Sequence, residues 1–280
     1  MSQRLPLRLA RDATFRAVAT LSAVVALLLL AWILWTLVSR GASSLSTALL
    51  VTDTLPPGRG GGLRNAIIGS LIQVGMAVII ATPIGVLAGI FLAELGDRSL
   101  LGRVVRFIND VLLSAPSILI GLFVYQILVR PFGGFSGIAG AIALGIIILP
   151  VVVRATEDML RLVPSALREA AFALGAPHWH VVANVTLRGA RAGIVTGILL
   201  AIARAAGETA PLLFTSLGSL NWSVNLTKPM SSLPVTIYQY AGSPFDEWVG
   251  IAWAGALLIT LGVLFLNIVS RLLLTLGRGK

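Results

Sequence analysis

The sequence predicts an all-α integral membrane protein of six transmembrane helices. Three observations carry that expectation. The chain is 57% hydrophobic and only 11% charged, with a mean hydropathy of +0.95. A soluble domain of this size has no interior large enough for that much apolar surface. Six windows, 17–38, 66–93, 111–129, 131–153, 192–215 and 248–270, run with little or no charge. Each reaches the roughly 20 residues that cross a hydrocarbon core of about 30 Å. Finally, the cationic residues are dispersed at window ends, most of them on one side.

The first window follows Arg4, Arg8, Arg11 and Arg16, and its 22 uncharged residues exceed the apolar region of a cleaved leader. It is expected to stay as an anchor. After it, 41–64 reads as a linker, because Pro56-Pro57-Gly58-Arg59-Gly60-Gly61-Gly62 cannot continue a helix. The expected organisation is therefore 1–64 as a cytoplasmic arm, first transmembrane helix and external loop, 65–271 as the main bundle, and 272–280 as a tail.

Within the bundle, Pro83, Pro116 and Pro150 fall inside windows and are expected to bend them. Gly85/Gly89 and Gly193/Gly197 place small residues four apart, a spacing that lets helices touch closely. Asp110, at the start of the third window, reads as an interfacial cap.

Orientation follows from the loops. Fifteen lysines and arginines lie in the N-terminal arm, the second-to-third loop, the fourth-to-fifth loop and the tail, against five on the opposite side. The cation-rich side is the cytoplasmic one, so both termini and the loop at Glu169 are expected there. The net charge of +10 needs no nucleic acid: the cations are dispersed at span ends, as anchoring to anionic headgroups requires.

The fourth-to-fifth loop is the most informative segment. Pro164-Ser165 can open a helix, with Ser165 as cap. Leu167, Ala170, Ala171 and Leu174 then share one face, which the two alanines keep shallow. Gly175 supplies a left-handed stop, and Pro177 suits the start of the next helix. So short a pair of helices must rest on the membrane or in a partner's groove.

In the fifth window Arg204 and Glu208 stand four residues apart, the spacing of one helix face. Ionisable groups at such depth need a partner or a water-filled path. Either they neutralise one another as a structural pair, or Arg204 offers its planar donors to an anion while Glu208 holds or releases it.

Other chemistry is missing. There is no cysteine, hence no disulfide, thiolate metal site or thiol nucleophile. No phosphate-cradling G-x-x-x-x-G-K-[ST] occurs, and the lysines are Lys228 and Lys280 alone, so ATP must be bound by another polypeptide. His178 and His180 form a His-x-His without a companion ligand. No catalytic residue, metal or cofactor is expected.

The motif Glu169-Ala170-Ala171-Phe172-Ala173-Leu174-Gly175, with Val185-Thr186-Leu187 nine residues on, resembles the EAA loop of bacterial ABC importer permeases. From 65 to 271 the chain is similar to the type I importer permeases, more narrowly to the phosphate-specific PstA-like subunits. The similarity is carried by Arg204-Ala205-Ala206-Gly207-Glu208-Thr209-Ala210-Pro211-Leu212-Leu213-Phe214, by Asn65-Ala66-Ile67-Ile68-Gly69-Ser70, and by Ala115-Pro116-Ser117. One departure is Arg188, where the family usually has proline after the leucine. The resemblance implies a permease subunit in the bacterial cytoplasmic membrane that forms the path for phosphate. Its implied partners are two copies of a cytoplasmic ATPase, a second homologous permease and an extracytoplasmic phosphate-binding protein. Glu169, Ala170, Ala171 and Gly175 would contact the ATPase; Arg204, Glu208 and Thr209 would line the path. Alternatives are a permease for sulfate, molybdate or phosphonate, or a membrane-embedded hydrolase using Glu208 or Asp110.

Overall fold

Every described element is helical, as lipid demands of a spanning chain that cannot leave backbone groups unpaired. The computed structural model describes residues 4–277. Arg278 and Lys280, expected in the cation-rich tail, lie outside the described residues. In order come α1 (Arg4–Ser43), α2 (Thr47–Val51), α3 (Arg64–Glu94), α4 (Leu100–Ser114), α5 (Ser117–Val124), α6 (Gly137–Arg161), α7 (Ser165–Ala173), α8 (His178–Val181), α9 (Leu187–Ala206), α10 (Ala210–Thr215), α11 (Leu233–Ala241) and α12 (Asp246–Gly277). A π-turn, Tyr125–Val129, extends α5, and another, Val182–Thr186, joins α8 to α9.

Five helices are long and apolar enough to cross a membrane, and the pair Leu100–Ser114 and Ser117–Val129 makes a sixth if counted as one span. That pair bends by 106°, so the third window is not a straight rod. The corner is Ala115-Pro116. Proline disfavours helix in the residue before it, and Ala115 is extended at ψ 133°. Pro83 and Pro150, expected to act alike, are carried inside α3 and α6 without interruption. Asp110 corrects an expectation as well: it lies within α4 on an exposed face, not at a cap.

The most enclosed helix is α6. Against it pack α3 through Gly85 and Gly89, and α9 through Gly193 and Gly197. A methyl group on Gly85 would lie 2.9 Å from Val152, and one on Gly89 2.8 Å from the carbonyl of Val153. With no hydrophobic drive between helices in lipid, such contacts supply the association through van der Waals packing. The central cluster joins Ala77 and Ala81 of α3, Leu144, Ile148 and Val152 of α6, Ala201 and Ala205 of α9 and Leu212 of α10.

By contrast α1 stands almost free, with nothing in its apolar window buried. It leans on α12, where Gly41 meets Leu257 and Arg40 lies 5.4 Å over the Trp253 ring.

At the α11 end, buried Asn65 opens α3. Its Oδ1 accepts from the Thr54 amide at 3.0 Å, and its Nδ2 donates to Thr54 Oγ1 at 2.7 Å and to the Ser219 carbonyl at 3.1 Å. One turn on, the Ser70 hydroxyl accepts from the Leu233 amide at 2.7 Å and ties down the start of α11. The segment 65–70 therefore stitches the loops of this end together.

Candidate functional site

The residues singled out in the sequence gather in two places. One is the α7 hairpin. Pro164, rather than Ser165, occupies the cap position, and no side chain caps α7. The stop is as expected: Gly175 has φ +78°, its amide donates to the Phe172 carbonyl at 2.9 Å, and the Ala176 amide to that of Ala171 at 3.2 Å. The following helix is not short. Residues 178–206 form one span-length helix through the π-turn, and Arg188 has the amide that continuation needs and a proline would lack.

No residue of α7 is buried. Leu167, Phe172 and Trp179 are exposed, and Leu174 is 90% exposed. Phe172 stacks on His178, ring centres 5.9 Å apart and nearly parallel, which folds α7 back on α8. Glu169 and Ala170 face outward, while Ala171 is half-buried. The other histidine, His180, has its Nδ1 3.3 Å from Asn184 Nδ2. Among the described residues no group of three His, Cys, Asp or Glu could hold a metal ion.

The second place is the junction of α9 and α10. Arg204 and Glu208 do meet, Nε to Oε1 at 3.6 Å, but not along one helix face. The helix ends at Ala206, and Glu208 lies in a three-residue break before α10. Pro211, in the first turn of α10, explains it: with no N–H to donate to residue 207, a continuous helix would lose a bond and meet the proline ring. Thr209 takes the cap position of α10, its carbonyl accepting from the Leu212 and Leu213 amides at 3.1 and 3.2 Å. Because Ala201 and Ala205 belong to the central cluster, the break lies level with the middle of α3 and α6. There the Arg204 side chain is half exposed and that of Glu208 mostly covered. Among the described residues the Arg204 guanidinium donates no hydrogen bond, and its one charged contact is the loose one to Glu208.

Sequence reasoning missed a third group, at the α7 end. Glu157 of α6, 3% exposed, accepts from Arg106 of α4 and Arg161. Asp97, in the turn between α3 and α4, contacts the same two arginines. Arg161 foremost, with Arg106, holds the Asp97 carboxyl below its ordinary range. The linear sequence offers one hint, the Glu157/Arg161 spacing of one helical turn just past an apolar window.

With this geometry established, comparison with known proteins gives the chain its family. Residues 85–275 match the family described as "Binding-protein-dependent transport system inner membrane component". The "Phosphate transport system permease protein PstA" of Yersinia pestis is 57% identical over 245 residues, covering 87% of this chain and 83% of that protein. This chain belongs to the PstA permease family.

More distant members include the "Phosphate transport system permease protein PstA 1" of Mycobacterium tuberculosis, 39% identical over 90% of this chain and 83% of that one. The "Probable phosphate transport system permease protein PstA" of Methanocaldococcus jannaschii is 36% identical over 94% of this chain and 92% of that protein. Among solved structures, an inward-facing MetNI methionine ABC transporter chain superposes with a TM-score of 0.61 at 19% identity, over 77% of this chain and 94% of that one. An amino acid ABC transporter superposes with a TM-score of 0.54 at 19% identity, over 75% and 91%. These two show the fold: a type I ABC importer permease bundle. The chain is a transmembrane permease subunit of an ABC importer in the inner membrane, and in this family ATP is hydrolysed by a separate ATPase.

Proposed function

We propose that this permease, with a second homologous permease, forms the path for inorganic phosphate. Two copies of a cytoplasmic ATPase would drive it by docking on α7, and an extracytoplasmic phosphate-binding protein would deliver the substrate at the α11 end. Both termini and α7 then face the cytoplasm. The observation that carries this reading is Arg204. A guanidinium half exposed at the mid-level of a membrane bundle, with no hydrogen bond, is too costly to leave facing lipid. Its open side fits a water-filled seam between two permeases, where it lowers the desolvation barrier to an anion. The exposed, shallow face of α7 supports the docking reading. The choice of phosphate over sulfate, molybdate or phosphonate rests on the names of the relatives.

The test is a set of Arg204 and Glu208 variants assayed for phosphate uptake and for copurification of the other subunits. Arg204→Gln abolishes uptake with assembly intact. Arg204→Lys rescues poorly, because a point charge lacks the fork, and Glu208→Gln alters rate rather than assembly. If both neutral variants misassemble alike and the double substitution restores uptake, the pair is structural and the reading fails. A cysteine placed by Ser165→Cys reacts with an impermeant label only from the cytoplasmic side; labelling from outside refutes the orientation.

A further inference from the structure

The charged groups at the α7 end tie α7 to the ends of α3, α4 and α6, and the remainder of the route to the α9–α10 break is backbone: α4, the corner and α5. Arg168 of α7 donates to the Leu160 carbonyl at the end of α6, at 2.8 Å, and its Nη2 lies 3.3 Å from Glu94 Oε1 at the end of α3. Next to these ends, Arg106 of α4 is pinned from two sides. It donates to Glu157 through Nε at 3.1 Å and Nη2 at 2.8 Å, and to Asp97 through Nη2 at 3.1 Å. Arg161 closes the ring, donating to Asp97 at 2.6 Å and to Glu157 at 3.2 Å. The carboxylates of Glu157 and Glu94 are buried, so losing an arginine would strand a charge away from water.

From Arg106 the path turns the 106° corner into α5. There Gly121 rests directly on the backbone of α10: a methyl group on it would lie 2.7 Å from Pro211 Cα and 3.1 Å from the Pro211 carbonyl oxygen. Pro211 is three residues beyond Glu208. No flexible side chain intervenes at this contact, so a shift of α5 is passed to α10.

The link to α7 is incompletely made. Glu94 Oε1 and Arg168 Nε are both buried without a hydrogen-bond partner, although their side chains adjoin. Such a pair has room to tighten into a forked contact if α7 moves.

We infer that the ring of Asp97, Arg106, Glu157 and Arg161, joined to α7 through Arg168 and Glu94, transmits movement of the docking helix to the α9–α10 break. It rests on the reading of α7 as the ATPase-docking helix. In this role Arg106, Glu157 and Arg168 are positioning residues: none adjoins Arg204, and they set where Thr209 stands when α7 is engaged.

The assembled transporter in lipid vesicles tests this. The chain has no cysteine, so Thr209→Cys adds one thiol, and its labelling rate is measured with and without ATP. With the ring intact, ATP changes the rate. Arg106→Gln and Glu157→Gln, each added to Thr209→Cys, reduce that ATP-dependent change about tenfold while the ATPase still copurifies. Persistence of the change in both variants overturns the inference. If either fails to assemble, Arg168→Lys decides, since it keeps the charge and loses the fork. Loss of the ATP-dependent change with normal copurification supports the relay, and retention overturns it. Failure of the ATPase to copurify with the parent protein refutes the docking reading instead.

Discussion

Gly175 isolates the conformational demand of the α7 hairpin from its packing. At φ +78° its backbone is left-handed, and a Cβ built there meets no atom within 4 Å. A side chain therefore adds no clash within the chain, and the whole cost is the left-handed conformation, about 1–2 kcal/mol for an ordinary L-residue. At 1.4 kcal/mol per factor of ten, the proper turn loses about 5- to 30-fold in population relative to its competitors. On the proposed docking of the ATPase at α7, apparent affinity for it falls by up to the same factor, because a docking surface formed part of the time binds in proportion. Titrating the purified permease with its ATPase, and reading substrate-stimulated hydrolysis, measures this. Gly175→Ala and Gly175→Leu should lose affinity alike, since the first carbon decides. Gly175→Asn should lose less, because asparagine tolerates the left-handed region. Melting temperature should not move. A neutral Gly175→Ala beside a damaging Gly175→Leu would refute the argument, because side-chain bulk and not backbone strain would then be decisive.

Two other substitutions probe the bundle. Gly121→Ala sets a methyl group 2.7 Å from Pro211 Cα, so α5 and α10 must part by about 1 Å to reach ordinary contact distance, at about 1–3 kcal/mol; a lower melting temperature and lost uptake with the ATPase still bound are expected, and an unchanged melting curve would contradict the close approach. For Asp97, whose carboxyl is held below its ordinary range, the ion contacts stabilise the fold above the unfolded value near 3.8 and are lost as pH falls through the depressed folded one. Asp97→Asn should lower the melting temperature at neutral pH, with the deficit closing only in strong acid; a deficit that closes between about pH 5 and 7 would disprove the assignment.

The spans were legible because lipid enforces a simple rule, that an apolar run long enough to cross must pair its own backbone. Where the chain changes direction, that rule is silent. The window 111–129 ran across the corner at Ala115-Pro116, and 192–215 across the break at Gly207, Glu208 and Thr209, since apolar composition is the same on both sides of a bend. The punctuation was present in Pro116, Gly207 and Pro211, yet Pro83 and Pro150 carry the same residue type without a break, so proline alone could not decide. The Arg204–Glu208 contact was anticipated from helical spacing, but it arises from a chain that has left the helix. Gly175 was readable because only a left-handed residue needs glycine there. The ring around Glu157 was not, because Arg106 lies 51 positions away and meets it only once α4 folds beside α6. Three of the segments in which the sequence resembles importer permeases hold the chain where it turns or is tied down: 65–70 stitches the α11 end, 115–117 makes the corner, and 204–214 spans the break.

Within one molecule the ion pairs sort by geometry, and the sorting bears on mechanism. Arg64 and Asp53 meet through two contacts of 2.9 and 2.8 Å, and Arg106 holds Glu157 at 3.1 and 2.8 Å. The first is a forked pair on two oxygens and the second sets two donors on one oxygen, and both hold their groups firmly together. Arg204 and Glu208 sit at 3.6 Å with no hydrogen bond between them, although nothing but a short stretch of chain separates them. A pair kept for stability at mid-bundle gains by closing to the distances of those two pairs, since a loose pair leaves each charge poorly compensated. A pair that must admit an anion and give it up again has the opposite requirement. If Glu208 gripped Arg204 fully, the anion would find no donor; if Glu208 were absent, the anion would meet an unopposed cation and stay. On the proposed reading, the long contact would leave the guanidinium open to an oxyanion while keeping a carboxylate within reach to displace it, the balance that repeated passage of an ion requires.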